Sequence, residues 1–259
     1  MTSRIRYYLS SIPTIFGQIE NWPLILMLLW GKRPVIRLRN GCRFRVRSLM
    51  DVWIVKETCL DRQYELYGTP IEDGWTVVDI GAGLGDFAIL IARENPHSHI
   101  YAYEPFPDSY QLLEENIALN NVYNISSFQV AVGARNEKVR LFAKGEAVQH
   151  TILLEGHSDD SIPYTEVQGV TLNDAFAING IERCDFLKMD CEGCEFDVLF
   201  GTSPTTLERI SRICLEYHDG FTRFTHTDLI GYLHQYGFQT RITPNPVHPY
   251  LGFLYAYRP

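Results

Sequence analysis

The chain has 259 residues, 46% apolar and 21% charged, ordinary globular values that do not make disorder the default and allow one large core with an extension. Its formal charge of −8 is unevenly spread: residues 1–50 hold nine Lys and Arg against one acid, Glu20 (+8), and the remainder holds 14 basic and 30 acidic residues (−16). An acidic body repels a phosphate backbone and argues against nucleic acid, whereas a basic head suits an anion or an anionic surface.

The six cysteines follow no small-scaffold spacing and no cleavable leader is recognised, so reduced thiols in a cytoplasmic protein are expected. Ile5, Tyr8, Leu9 and Ile12 recur at helical spacing and predict a short amphipathic helix ending before Pro13. The apolar run "WPLILMLLWG", Trp22 to Gly31, is too short to span a bilayer, which takes about 20 residues. It reads as a buried helix, with an interfacial position as the alternative. Peripheral membrane contact through this basic head and pairing with a second copy of the chain both stay open.

"PVIRLRNGCRFRV" alternates about Asn40-Gly41. A three-residue loop with Gly41 left-handed pairs Leu38 with Cys42 and Ile36 with Phe44, keeping apolar side chains on one face. Arg37 then opposes Arg43 on the outer face, with Arg45 and Arg47 following, a set suited to an anionic acceptor. "DVWIVKETCLDRQYELYG" predicts one helix ending near Gly68. The N-terminal unit is expected to cover residues 1–70 and the main domain 71–259.

From Trp75 the pattern alternates. "WTVVDI", "HIYAYEP", "ISSFQVAV", "CDFLKMD" and "RICLEYH" predict strands, with "DFAILIARE", "SYQLLEENIALNN", "LNDAFAING" and "TDLIGYLHQYG" as helices. "KVRLFAK" and "TEVQGV" predict accessory strands about a loop near 145–163. "FQTRIT" and "LGFLYAY", joined by "PNPVHP", suit an antiparallel pair at a sheet edge. The alternation argues for an α/β doubly wound, mostly parallel sheet.

"VVDIGAGLGD" is the most informative stretch. Gly81, Gly83 and Gly85 let backbone turn tightly and approach a ligand at a helix start. A dinucleotide loop needs a glycine at the sixth position, which here is Asp86, and Asp79 adds a second carboxylate. Two acids repel a pyrophosphate and suit a cation. Glu104, 23 residues after Gly81, stands where a carboxylate can accept ribose hydroxyls. A cationic nucleoside such as S-adenosylmethionine fits both features.

Asp190 ends the strand that carries Lys188, and Glu216 and His218 end the next. Ligands of open α/β sheets bind at that edge. Lys188 is expected to pair with Glu216 or Asp190.

These residues resemble the FkbM family of S-adenosylmethionine-dependent methyltransferases. The resemblance rests on "VVDIGAGLGDFA", "YEPFP", "VTLNDAF" and, most narrowly, the Lys188, Asp190, Glu192, Gly193, Glu195 pattern of "LKMDCEGCEFDVLFG". It covers roughly residues 35–220, including the segment with Asp51, Glu57 and Tyr64. It implies a class I methyltransferase (Rossmann-like) sheet of order 3-2-1-4-5-7-6 with an antiparallel last strand, beside an N-terminal helical and hairpin extension. It further implies that Asp79, Gly81, Ala82, Gly83 and Gly85 hold the methionine part, with Glu104 and Pro105 at the ribose. Val130 and Ala131 would border the adenine and Asp190 the cofactor; Tyr64 and Glu57 are read first as packing the helix that bears them, with closure over the cofactor as the alternative.

Relatives carry small apolar residues at Cys191 and Cys194, which are therefore read as packing. Asn173 replaces a common Asp at a position read as a helix cap. His218 is the first candidate for general base, with Asp190 either orienting it or holding the acceptor. A divalent metal on Asp190, Glu216 and His218 is the alternative route to the same deprotonation. The implied reaction is O-methylation of a sugar, glycan or natural product. A non-catalytic cofactor-binding protein, an N-methyltransferase and a nicotinamide enzyme are the rivals.

Overall fold

The computed structural model describes residues 3–143, 150–152, 164–191, 193–245 and 247–259. Glu192 and the 145–163 loop, apart from 150–152, lie outside the described residues.

Helix α1 (Ser3–Gln18) runs straight through Pro13 and does not stop before it. The apolar run Trp22–Trp30 forms a 3-10 helix with no buried side chain, so the expected buried helix is corrected. It ends at Gly31, whose left-handed conformation seats its N–H on Leu28 and Met27 carbonyls.

Strands β1 (Val35–Arg37) and β2 (Arg43–Arg45) pair with Ile36 opposite Phe44 and Arg37 opposite Arg43, and Leu38 donates to the Cys42 carbonyl across Gly41 at φ +88°. This is the three-residue register expected from the alternation. The hairpin's apolar face packs on the main domain, in a cluster joining Ile36, Phe44 and Val46 to Leu84, Ile89 and Leu112.

The helix expected over residues 51–68 is broken in three. α2 (Leu49–Val55) passes into a π turn (Lys56–Leu60), and α3 (Gln63–Tyr67) restarts after Arg62, which is left-handed at φ 54°. Ion pairs from Arg62 to Glu65 and Glu94 hold the break. Rich helical periodicity concealed this bend, which turns both halves toward the sheet edge.

The central sheet holds β3 (Thr76–Ile80), β4 (His99–Tyr103), β5 (Ile125–Phe128), β10 (Phe186–Met189), β11 (Arg212–His218), β12 (Gln239–Pro244) and β13 (Leu251–Tyr257), in the order β12-β13-β11-β10-β3-β4-β5. Counted within the sheet this is 6-7-5-4-1-2-3, with β13 antiparallel to both neighbours. That is the class I methyltransferase fold.

The near-continuous apolar strands are explained by two covered faces. Val78, Leu187 and Ile213 pack in one cluster with α6 (Leu172–Ile178), α7 (Glu195–Phe200) and α9 (His226–Gln235). Val77, Phe186 and Cys214 pack on α4 (Asp86–Glu94) and α5 (Pro107–Asn120) in the other.

The expected third strand splits after β5, and β6 (Ala131–Gly133) leaves to join β9 (Tyr164–Thr171), β7 (Lys138–Ala143) and β8 (His150–Ile152) in a second sheet. α8 (Pro204–Leu207) follows α7. Thr171, not Asn173, caps α6 by accepting from the Asp174 N–H. Asn173 instead accepts from Ser203 and donates to the Gly201 carbonyl, tying α6 to the α7–α8 turn.

Candidate active site

Where β3 gives way to α4, three glycines, Gly81, Gly83 and Gly85, turn the chain in left-handed conformations. Gly81 (φ +77°) lies so close to the end of β10 that a Cβ would overlap the Asp190 carbonyl oxygen, so no other residue fits. A Cβ on Gly83 would meet nothing nearer than Asp86 Oδ1 at 4.0 Å, which leaves its side open to a ligand. Gly85 serves packing, since its Cβ would strike Leu113 and Ile89.

These turns border a cleft of about 860 Å³, open solvent at its mouth included. Its walls are contributed by Arg47, Asp51, Ile54 and Thr58 on the N-terminal side, by Tyr64, and by the loop residues Gly81, Gly83 and Asp86. Glu104, Pro105, Phe106, Lys188, Asp190 and Cys191 complete the rim of strand ends.

Glu104 is buried, and its two carboxylate oxygens accept the N–H groups of Gly83 (2.8 Å) and Phe106 (2.9 Å). Burial raises its pKa to about 7, against those two bonds. Burial also lifts Asp86 to about 6, opposed by Lys188 and the Thr58 hydroxyl.

Lys188 pairs with Asp79 (2.9 Å) and donates to the Gly81 carbonyl (2.7 Å), a correction to the expected Glu216 or Asp190 partner. The reason is register: Lys188 lies beside Asp79 across the β10–β3 pair. Burial works against its charge, but the carboxylates of Asp79, Asp190 and Asp86 outweigh burial and hold its pKa above the ordinary value. Asp79 is fully buried beneath this ion pair and is not part of the cleft wall.

The hairpin arginines divide. Arg37 and Arg43 stay outward and do not line the cleft. Arg47 does, but Asp51 holds it in a two-pronged pair, with Nε–Oδ2 and Nη2–Oδ1 both at 3.1 Å. The cations of the cleft are thus matched internally, and the carboxylates of Asp86, Glu104 and Asp190 remain to face a ligand. A cation suits that balance; a pyrophosphate does not.

Tyr64 donates its hydroxyl to Asp190 Oδ2 at 2.7 Å. Its ring is wedged edge-on between Phe87 (5.4 Å) and Phe253 (5.5 Å), and burial and the Asp190 charge push its pKa well up, so it stays a donor at neutral pH. Asp190, Glu216 and His218 converge, with one ligand-type atom of each lying within 4.8 Å of the others. Asp190 therefore belongs both to the cleft and to this trio. A trio of two carboxylates and an imidazole can take a proton from a hydroxyl or hold a divalent cation.

Behind His218 stands Glu195, fully buried at the start of α7. Its Oε1 lies 3.2 Å from His218 Nδ1 and also accepts the Cys191 N–H at 3.1 Å. Glu195 was visible in the motif, but its service to His218 was not, because 23 residues separate them. Ile54, Thr58 and Ser109 also escaped notice, since the bend that delivers the first two left no mark on the periodicity.

Not every expected residue arrives. Ala82 and Gly85 belong to the loop but are buried and do not line the cleft. Val130 packs on the core and Ala131 lies in a small cluster with Leu141 and Val167, neither lining the cleft. Phe106 packs on that cluster and lines the cleft itself. Glu57 does not line it. Cys191 and Cys194, expected as packing thiols, form a disulfide with Cα atoms 5.5 Å apart. The four other cysteines are free and buried.

A sequence model described as the methyltransferase FkbM domain matches residues 79–240. Methyltransferase 1 of Beauveria bassiana is 27% identical over 64% of this chain and 73% of its own length. The 31-O-demethyl-FK506 methyltransferase FkbM of Streptomyces tacrolimicus is 26% identical over 71% and 81%. Hexuronic acid methyltransferase AglP of Haloferax volcanii is 23% identical over 73% and 76%. The crystal structure of methyltransferase FkbM from Methylobacillus flagellatus shares the fold, with a TM-score of 0.51 at 17% identity over 92% of this chain and 59% of that one.

Proposed function

Because this chain belongs to the FkbM family of methyltransferases, we propose that it moves the methyl group of S-adenosylmethionine to a hydroxyl oxygen of a sugar, glycan or natural product. The observation that carries this reading is the continuity at Asp190 between an acid-lined cleft and the His218 trio.

The donor set fits the cofactor: cations already paired, three carboxylates facing in, and Gly83 open to close approach. Gly81, Gly83, Glu104, Pro105 and Asp190 would hold it, with Tyr64 and Phe106 as walls. When bound, it would supply an electrophilic methyl group, with the neutral thioether of S-adenosylhomocysteine as the leaving group of an in-line displacement.

The rest is the work of this chain. His218 removes the proton of the acceptor hydroxyl. Glu195 at Nδ1 fixes the ring and stabilises its charged form. Tyr64 holds Asp190 in place, and Asp190 orients the acceptor beside His218. The relatives named for 31-O-demethyl-FK506 and for a hexuronic acid favour an oxygen acceptor.

The test is to incubate the protein with labelled S-adenosylmethionine and a panel of glycans and hydroxylated natural products, and identify products by mass spectrometry. Methylated nitrogen, or no transfer despite cofactor binding, contradicts the reading. The same trio would suit a divalent cation, and activity abolished by a chelator and restored by magnesium would assign the deprotonation to metal.

A further inference from the structure

The apolar run beside the hairpin plays no part in the cleft. Of the 15 large apolar side chains exposed among the described residues, seven fall between residues 12 and 30, far more than an even spread would place there. Leu29 and Trp30 are 70% and 71% exposed, and Phe16, Trp22, Leu24 and Leu26 stand out beside them. Folded monomers seldom leave a contiguous apolar surface of this kind open to water.

The segment is firmly held. Ile19 is buried and bridges to Leu38, Glu20 donates to the Arg37 carbonyl, and Arg39 donates to the Gln18 carbonyl. Asn21 ties the start of the run to Val35 and Arg37. The apolar run therefore keeps a fixed place against the hairpin, whose Arg37, Arg39 and Arg43 are exposed, as are Lys32 and Arg33 between them. None of these five makes an ion pair among the described residues. The one acid in residues 1–50 is Glu20.

We infer that this face, Phe16 to Trp30 with its arginine and lysine margin, docks the protein onto an anionic lipid surface. Two arguments select lipid over other occupants. A cationic rim around an apolar centre matches anionic headgroups over acyl chains, each basic residue near such a surface strengthening binding roughly fivefold. Tryptophans at both ends of the run suit the headgroup boundary, where an amphipathic ring has an apolar and a wet side. Spanning is ruled out for the run itself: nine residues at about 2 Å each reach some 18 Å, short of the ~30 Å hydrocarbon layer. No helix among the described residues is long and apolar enough to cross a membrane. The hairpin continues to Arg47 in the cleft wall, so docking would set the cleft close to the lipid surface.

The full chain should be sedimented with vesicles of phosphatidylcholine and of phosphatidylcholine mixed with phosphatidylglycerol. It should pellet with the second and not the first, and salt should release it. Arg37→Gln/Arg43→Gln should weaken that binding roughly 30-fold, and Leu26→Ser/Leu29→Ser/Trp30→Ser should abolish it. Thermal stabilisation by S-adenosylhomocysteine should be unchanged in both variants. The wild-type tryptophan emission should shift to the blue with the anionic vesicles, a reading independent of any variant. No phosphatidylglycerol-dependent binding overturns the inference. So does a solution dimer that the triple substitution converts to monomer, which would make this face a self-interface.

Discussion

Glu104 and Asp86 carry the most revealing acid–base behaviour in the cleft, with pKa values raised to about 7 and about 6. A carboxyl with a raised folded pKa binds its proton more tightly folded than unfolded, so its stabilising contribution is complete below the unfolded value and lost as pH climbs through the folded one. Stability should therefore fall between about pH 5 and pH 8, by up to about 3 kcal/mol from Glu104 alone. Thermal melts of wild type and Glu104→Gln across that range check this, and the variant should show a flatter slope whatever its absolute stability. A cationic ligand favours the ionised forms, so S-adenosylmethionine binding near neutral pH should release protons. Titration calorimetry in buffers of different ionisation enthalpy reads that release directly. At His218, replacement by Ala should lower turnover about 10²–10⁴-fold while cofactor affinity holds. Glu195→Gln should cost less and move the pH–rate profile, because Glu195 acts through the ring.

The elements that deliver these residues were unequally readable in the sequence. The strand, glycine turn, helix and following acid were plain because each signal is local: a strand whose Val77, Val78 and Ile80 are apolar, φ-positive glycines and an acid at a fixed interval. The hairpin register was equally plain, since a slip would have turned Ile36 and Phe44 outward. The break at Arg62 was not, because its cause is an ion-pair set reaching 32 residues away to Glu94. That break places Tyr64 over Asp190, so the cleft's roof was legible as residues but not as a shape. Lys188 was misassigned for a similar reason, since its partner depended on the register between β10 and β3. Gly81→Ala tests the closest approach between elements. With no space beside the Asp190 carbonyl, it should destabilise by about 3 kcal/mol or more, measured by urea unfolding, and abolish cofactor binding.

Across the whole molecule, charge and topology divide the labour. The sheet order puts the carboxyl ends of β3, β4, β10 and β11 along one rim, and the N-terminal hairpin and bent helix cover that rim from outside. Acidic groups concentrate where a cationic nucleoside would lie, whereas basic groups concentrate on the opposite task, the outer face of the hairpin. On the proposed reading, this rim selects a cationic nucleoside over a diphosphate-bearing dinucleotide. Isothermal titration of one protein sample with S-adenosylmethionine and with NAD tests it most directly. Single-site binding of S-adenosylmethionine, lost in Gly81→Ala, and no heat from NAD are expected. Binding of NAD at the same site, or silence toward S-adenosylmethionine, would contradict it.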